Sequence, residues 1–417
     1  MQKLVSAVHD FLRNSLQHEF GKPKLQAHPD REWAKFQALG MQLWLDTGDI
    51  GEASKIWNTS FGGLTTNNTL LNKEIQKGIY DNLVSKAVAV VRGANPTVDE
   101  ETLKLELALI LNAWHGLRLV ETFDATVSVE LHTDLAHDVE KTVYYGKRIY
   151  AICPERFVVK VPLTPAGYLG AKKLKQAGVP INFTLGFSAR QNVIAALFTK
   201  PDYINVFLGR INALIADNHL GSGEGAGEKA TLATQRILSS FRKEQRTATR
   251  LIGASIRSGA QIAALSGLDV LTMPPKAATQ YREAPLANPH SQVDQDPAVP
   301  LADGLDAKGI GADAFWDVSP DFLRAVDALL AKNCCELAPD DIAEHFADAG
   351  FPDLFPHWSE SDRALATKDG KIPVLDHWKT RAQQGAIGLD ALLNFSAYCA
   401  FTQDQLALDE RVRKLVG

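Results

Sequence analysis

The sequence predicts a (β/α)8 barrel with a helical leader before it and a helical extension after it. Short apolar runs alternate with longer helical segments over about 240 residues, the rhythm of repeated β-α units. Eight such runs fall between residues 42 and 273. The rival for this rhythm is a doubly wound open sheet, but no GxGxxG motif follows the first runs, which weakens it. Leader and barrel take residues 1–282, and an irregular linker with a helical cap takes 283–417.

In order along the chain, residues 1–40 read as the helical leader. Leu4, Val8, Leu12 and Leu16 recur at every fourth position, with Phe11 beside them, which is helical spacing. The strands follow as Gln42–Asp46, Gly63–Asn67, Ala125–Leu131, Phe157–Pro162, Pro180–Leu185, Tyr203–Leu208, Leu251–Ser255 and Asp269–Met273. Helical patterns lie between most of them, among them Pro165–Ala177, Ala189–Phe198 and Lys229–Lys243. Thr164 before Pro165 and Ser188 before Ala189 are expected N-caps. Gly221–Gly227 is glycine-rich, yet it carries a glutamate and stands at a distance from the preceding strand. It reads as a flexible loop rather than a phosphate cradle. Residues 283–318 are rich in Ala, Pro, Asp and Gly and read as a long irregular connection. Ser319-Pro320 then opens a helix through Lys332, Pro339-Asp340-Asp341 opens another, and a last helical stretch runs from Leu389 to Val416. This extension reads as a cap on the barrel, not as an independently active domain.

The bulk properties exclude several classes. The 417 residues are 45% hydrophobic and 22% charged, as in an ordinary soluble protein. Net charge is -5 with no long basic run, which argues against a nucleic-acid partner. No apolar stretch approaches the ~18 residues that a membrane helix needs. Met1 to Glu19 mixes charges throughout, without the apolar core of a signal peptide, so a cytoplasmic location is expected. The 4 cysteines, Cys153, Cys334, Cys335 and Cys399, form no CxxC pair. Reduced, mostly buried thiols are expected rather than disulfides or a zinc site.

One residue breaks the pattern. Lys160 is the single charge in Phe157-Val158-Val159-Lys160-Val161-Pro162, a β-branched run that reads as a fully buried parallel strand. A charge there is costly unless paired or neutralised, and a desolvated lysine can become an amine nucleophile. Chemistry in such barrels sits at the C-terminal ends of the strands, and polar residues collect there. Asp46 closes the first strand, Thr65 to Asn68 the second and Glu130 the third. Asn182 and Thr184 share a face of the fifth strand, and Asn205 and Phe207 one of the sixth, followed by Arg210. Ser255 and Arg257 end the seventh. Read singly, each has a structural alternative. Asp46 could cap a turn before Gly48, residues 65–68 could be a polar turn, and Glu130 could be half of a structural salt bridge. Asn182 and Thr184 could satisfy loop backbone groups, and the two arginines could be solvated. Read together, they place a lysine, two carboxylates, two arginines and several amides on one rim. That set suits Schiff-base chemistry on a phosphorylated sugar: arginines for phosphate, amides for hydroxyls, one carboxylate for proton removal, and the other with a threonine to hold a water.

The chain resembles the transaldolases over roughly residues 40–280. The matching pieces are LWLDTGDI at 43–50, LTTNNTLL at 64–71, VSVEL at 127–131, VVKVPLTPAG at 158–167, INFTLGFSARQ at 181–191, INVFLGRI at 204–211, IGASIRS at 252–258 and GLDVLTMPP at 267–275. Phe401 to Gln405 resembles the family's C-terminal helix more weakly. The resemblance implies a Schiff base on Lys160, general acid/base action by Asp46, and a catalytic water positioned by Glu130 and Thr184. It implies substrate contacts from Asn67, Asn182 and Phe207 and phosphate binding by Arg210 and Arg257, with Asn205 and Ser255 in the same region. It implies transfer of a dihydroxyacetone unit between sugar phosphates of the pentose phosphate pathway, and a homodimer. Neither metal nor organic cofactor is required, because a protonated imine is itself the electron sink. The chain departs from the family at Asn68 (usually proline), Asn205 (usually serine) and Ile256 (usually phenylalanine), and residues 283–385 have no counterpart. Two rivals stand beside this reading. One is a fructose-6-phosphate aldolase, which releases free dihydroxyacetone and carries glutamine where Glu130 stands. The other is a phosphosugar-binding barrel without catalysis.

Overall fold

In a computed structural model that describes residues 2–334 and 336–416, eight parallel strands close into a ring. They are β1 (Gln42–Asp46), β2 (Phe61–Thr65), β3 (Thr126–Glu130), β4 (Phe157–Pro162), β5 (Ile181–Thr184), β6 (Tyr203–Phe207), β7 (Arg250–Ala254) and β8 (Val270–Met273). β1 pairs with β8 to complete the barrel. Helices between the strands cover the outer face, which is why β4 and β5 are buried along almost their whole length.

Most strand bounds agree with the sequence reading to within a residue. β2 is displaced from the expected Gly63–Asn67, because Asn67 is already the N-cap of helix Asn68–Gln76, its Oδ1 accepting from the Leu70 amide at 2.8 Å. The expected caps at Thr164 and Ser188 are present, the second as a capping box with Gln191. The helix expected over Ala189–Phe198 changes register: it is α-helical over Ala189–Ile194 and a π turn over Ala195–Thr199. Helix Ala226–Lys243 starts just after the Gly221–Gly225 loop. The leader is not continuous. Helices Gln2–Arg13 and Arg31–Ala38 flank an irregular stretch, so Leu16 lies beyond the first helix.

Inward side chains fill the floor of the barrel. Trp44 packs edge-on against Tyr203, with ring centroids 4.9 Å apart. Gly63 makes room for that indole, since a Cβ on it would lie 2.5 Å from the Trp44 ring. Above this apolar layer the interior turns polar. Thr65 Oγ1 lies 2.9 Å from Thr272 Oγ1, and Asn182 Nδ2 donates to Ser128 Oγ at 2.9 Å.

The extension contains helices Pro320–Leu330, Pro339–Asp348, Glu360–Asp369, Leu375–Gln383 and Leu389–Val416. The third and fourth are not apparent in the sequence, because they bury little: Ala366 in one and Trp378 in the other. Helix Leu389–Val416 lies over the C-terminal ends of the strands. Asn394 Nδ2 donates to the carbonyls of Leu163, at 3.1 Å, and Leu185, at 2.8 Å, just past β4 and β5. Asp390 is fully buried and accepts from Ser188 Oγ and from Arg190, which also pairs with Asp353. His132 Nε2 meets Asp409 at 3.1 Å, and Thr69 donates to Asp404. Among the cysteines, Cys153 and Cys399 are buried free thiols and Cys334 is partly exposed, while Cys335 lies outside the described residues. No helix among the described residues is long and apolar enough to cross a membrane.

Candidate active site

The strand ends meet around a cavity of about 260 Å³. Asp46, Asn67, Lys160, Asn205, Phe207, Arg210, Ser255 and Arg257 all line it. Glu130, Asn182 and Thr184 do not; they are buried behind it on the strands that flank or adjoin β4. A larger recess of about 1030 Å³ lies between Arg190 and the extension and contains none of these residues.

Lys160 is the centre of the arrangement. On the barrel wall it is the register partner of Glu130 on one side and of Asn182 on the other. Its side chain is only 4% exposed, which requires partners for the ammonium. Nζ donates to the Thr66 carbonyl at 2.8 Å and stands 3.5 Å from Glu130 Oε2. That carboxylate oxygen and the Thr184 hydroxyl are both buried without a hydrogen-bond partner among the described residues. Such atoms are suited to an ordered water.

Asp46 does not cap the turn at Gly48. Thr47 and Asp49 hold that turn, with the Asp49 amide donating to Thr47 Oγ1 and Asp49 capping the next helix. Asp46 instead faces inward and accepts from Thr65 Oγ1 at 2.9 Å. Burial pushes its carboxyl above the usual range, against the pull of Lys160, Thr65 and Arg257. Burial raises Glu130 as well, opposed by Lys160. Two carboxyls held in this way can exchange protons at milder pH than solvated ones.

The cationic end lies across the cavity. Arg210 is buried, and Arg257 is exposed on the rim. Burial and the neighbouring Arg257 push Arg210 down to about 10. Its guanidinium lies over the Phe401 ring, 5.5 Å from the centroid. Gly209 lets this turn abut the end of β7, since a Cβ there would meet the Ser255 carbonyl oxygen at 2.2 Å. Ser255 itself takes a left-handed backbone, with φ of 64°, a strained state that tends to occur at functional rims. Asn205 Oδ1 is buried without a partner among the described residues.

A family description, transaldolase/fructose-6-phosphate aldolase, matches residues 43–318, the stretch that forms all eight strands. The chain belongs to the transaldolase/fructose-6-phosphate aldolase family. A transaldolase of Xanthomonas euvesicatoria pv. vesicatoria is 29% identical over 283 residues, covering 64% of this chain and 84% of the relative. One of Xanthomonas campestris pv. campestris is 30% identical over 236 residues, with 55% and 71% covered. A probable transaldolase of Dictyostelium discoideum is 28% identical over 247 residues, with 57% and 75% covered. Membership makes this an enzyme of aldolase or transaldolase type.

Several residues at the site escaped the sequence reading. Thr272, on an inward position of β8, was open to detection by strand alternation. The Thr66 carbonyl carries no side-chain signal at all. Lys73, Lys371 and Phe401 also line the cavity, the last two from the extension; Phe401 lies in the stretch that resembles the family's C-terminal helix, but that resemblance gives it no role at the site.

Proposed function

We propose that the protein is a transaldolase that moves a dihydroxyacetone unit from a ketose phosphate, such as fructose 6-phosphate or sedoheptulose 7-phosphate, to an aldose phosphate. Erythrose 4-phosphate and glyceraldehyde 3-phosphate are the proposed acceptors, and we read the reaction as a step of the pentose phosphate pathway in the cytoplasm. One observation carries this reading: Lys160 and Asp46 border the same cavity as Arg210 and Arg257, with Glu130 3.5 Å behind the lysine.

Lys160, as the free amine, attacks the ketone carbon of the donor. Glu130 and a water held with Thr184 carry protons as the carbinolamine loses water and becomes a protonated imine. Asp46 takes the proton of the hydroxyl two carbons along. The carbon–carbon bond breaks, its electrons flow into the imine, and the aldose phosphate leaves. The three-carbon enamine that remains attacks the acceptor aldehyde, Asp46 returns the proton, and water releases the new ketose. Arg210 and Arg257 hold the phosphate, Asn67, Asn205, Ser255 and Phe207 hold or flank the carbon chain, and Asn182 supports the Lys160 adduct from behind, as its register partner. We read residues 1–282 as the leader and barrel and 283–417 as an extension packed on them.

Borohydride trapping with fructose 6-phosphate and peptide mapping tests the reading. A reduced adduct on Lys160 is expected, and its absence overturns the mechanism. Erythrose 4-phosphate then separates the two activities. A seven-carbon ketose that forms only with that acceptor supports transfer, whereas free dihydroxyacetone formed without it supports an aldolase.

A further inference from the structure

We propose that Lys371, delivered by the C-terminal extension, is a third phosphate-binding cation of this site alongside Arg210 and Arg257. The inference rests on the sugar-phosphate reading above. Lys371 lies outside the stretch that matches the family, residues 43–318. It stands between helices Glu360–Asp369 and Leu375–Gln383, and it borders the cavity together with both arginines.

The loop that carries it is anchored to the element that carries Arg210. Asn218 ends helix Leu208–Asp217, whose first turn presents Arg210. Asn218 Nδ2 donates to the Pro373 carbonyl at 3.0 Å, and its Oδ1 accepts from the Leu375 amide at 2.7 Å. Asp369 ties the loop from its other side, accepting from the Val374 amide at 3.1 Å and from Trp378 Nε1 at 3.0 Å. Lys371 is therefore fixed relative to Arg210 rather than carried on a loose arm.

The charges around it call for an anion. Arg210 is buried, and its one hydrogen bond among the described residues goes to the Lys371 carbonyl at 3.4 Å. No carboxylate among the described residues forms an ion pair with Arg210. The Lys371 ammonium is exposed and has neither a hydrogen bond nor an ion pair among them. Arg210 and Arg257 repel one another, with Asp404 only partly offsetting that on Arg210, and Lys371 borders the same small cavity, so a multivalent anion bound there would be held by all three. A phosphate monoester, with close to two charges and three acceptor oxygens, fits that demand. The arginines supply planar forks and the lysine a point charge.

The test compares wild type with Lys371→Ala and Lys371→Arg. For Lys371→Ala, KM for fructose 6-phosphate and the inhibition constant of inorganic phosphate should both rise about tenfold, the loss of one charge-assisted contact. The turnover number should stay within about twofold, since a contact shared by ground and transition states acts on KM alone. Borohydride trapping of unphosphorylated dihydroxyacetone on Lys160 should be unchanged, and Lys371→Arg should recover most of the loss. Unchanged phosphate inhibition in Lys371→Ala overturns the inference, as does an equal loss on dihydroxyacetone. Stabilisation of the folded protein by inorganic phosphate, read as a melting shift in both proteins, needs no turnover. If wild type forms no Lys160 adduct, the catalytic reading fails, and the melting shift still decides whether Lys371 binds phosphate.

Discussion

Glu130 and Lys160 are register partners on adjacent strands, with Glu130 Oε2 3.5 Å from the lysine ammonium. The carboxylate is therefore close enough to exchange protons with the lysine nitrogen or with a water beside it. Glu130→Gln keeps the volume and removes the proton carrier. Imine formation should slow by ~10²-fold or more, the usual contribution of a positioned acid–base group. Rapid-quench borohydride trapping measures that rate directly, and an unchanged rate removes Glu130 from the relay.

Asp46 should act at a later step. Asp46→Asn should still give a trapped Lys160 adduct with fructose 6-phosphate, while carbon–carbon cleavage falls by ~10²–10⁴-fold. The pH dependence follows from burial, which raises this carboxyl above its ordinary range. Because Asp46 must be ionised to take a proton, the turnover number should fall with acid at a pH higher than a solvated aspartate would give. A profile whose acid limb is the same in Asp46→Asn and wild type would assign that limb to another group.

Asp390 holds the extension to the barrel. It is fully buried, and it accepts from Ser188 Oγ at 2.6 Å and from Arg190 Nε at 2.7 Å. Asp390→Ala leaves Arg190 with only Asp353 and should cost about 3–5 kcal/mol, as when one partner of a buried pair is removed. Denaturant unfolding measures the loss. A cost below ~1 kcal/mol would show that Asp353 alone satisfies Arg190.

His115 predicts how stability varies with pH. It is buried beside Tyr80, whose hydroxyl lies 2.8 Å from Nδ1, and burial lowers its pKa from 6.5 to about 4. Between those values the unfolded chain binds a proton that the folded one rejects. The stabilisation is therefore complete above pH 6.5 and is lost as pH falls toward 4, a decrease of about 3 kcal/mol. His115→Gln should flatten the curve over that window. An equally steep acid slope in the variant would place the titration elsewhere.

The barrel was legible because its strands are buried on both faces and therefore carry continuous apolar runs. The site was legible at the same places, since Lys160, Glu130 and Asp46 are polar residues where those runs should have stayed apolar. What hid from the sequence depends on partners distant along the chain. The Thr66 carbonyl that receives Lys160 has no side-chain signature. Helices Glu360–Asp369 and Leu375–Gln383 bury too little to show a stripe. Asp390 resembles an ordinary first-turn acid until Arg190 is seen against it.

The seam between β1 and β8 has a kinetic consequence. It pairs Gln42 with Val270, residues roughly 230 apart, so the ring can close only after nearly the whole barrel has been made, and such distant pairings form slowly. Until then β1 and β8 each present an unsatisfied edge, which is the kind of surface that joins one chain to another. The finished ring presents no edge. The interval before closure, more than any weakness of the native state, should set how readily this protein aggregates when it is made quickly.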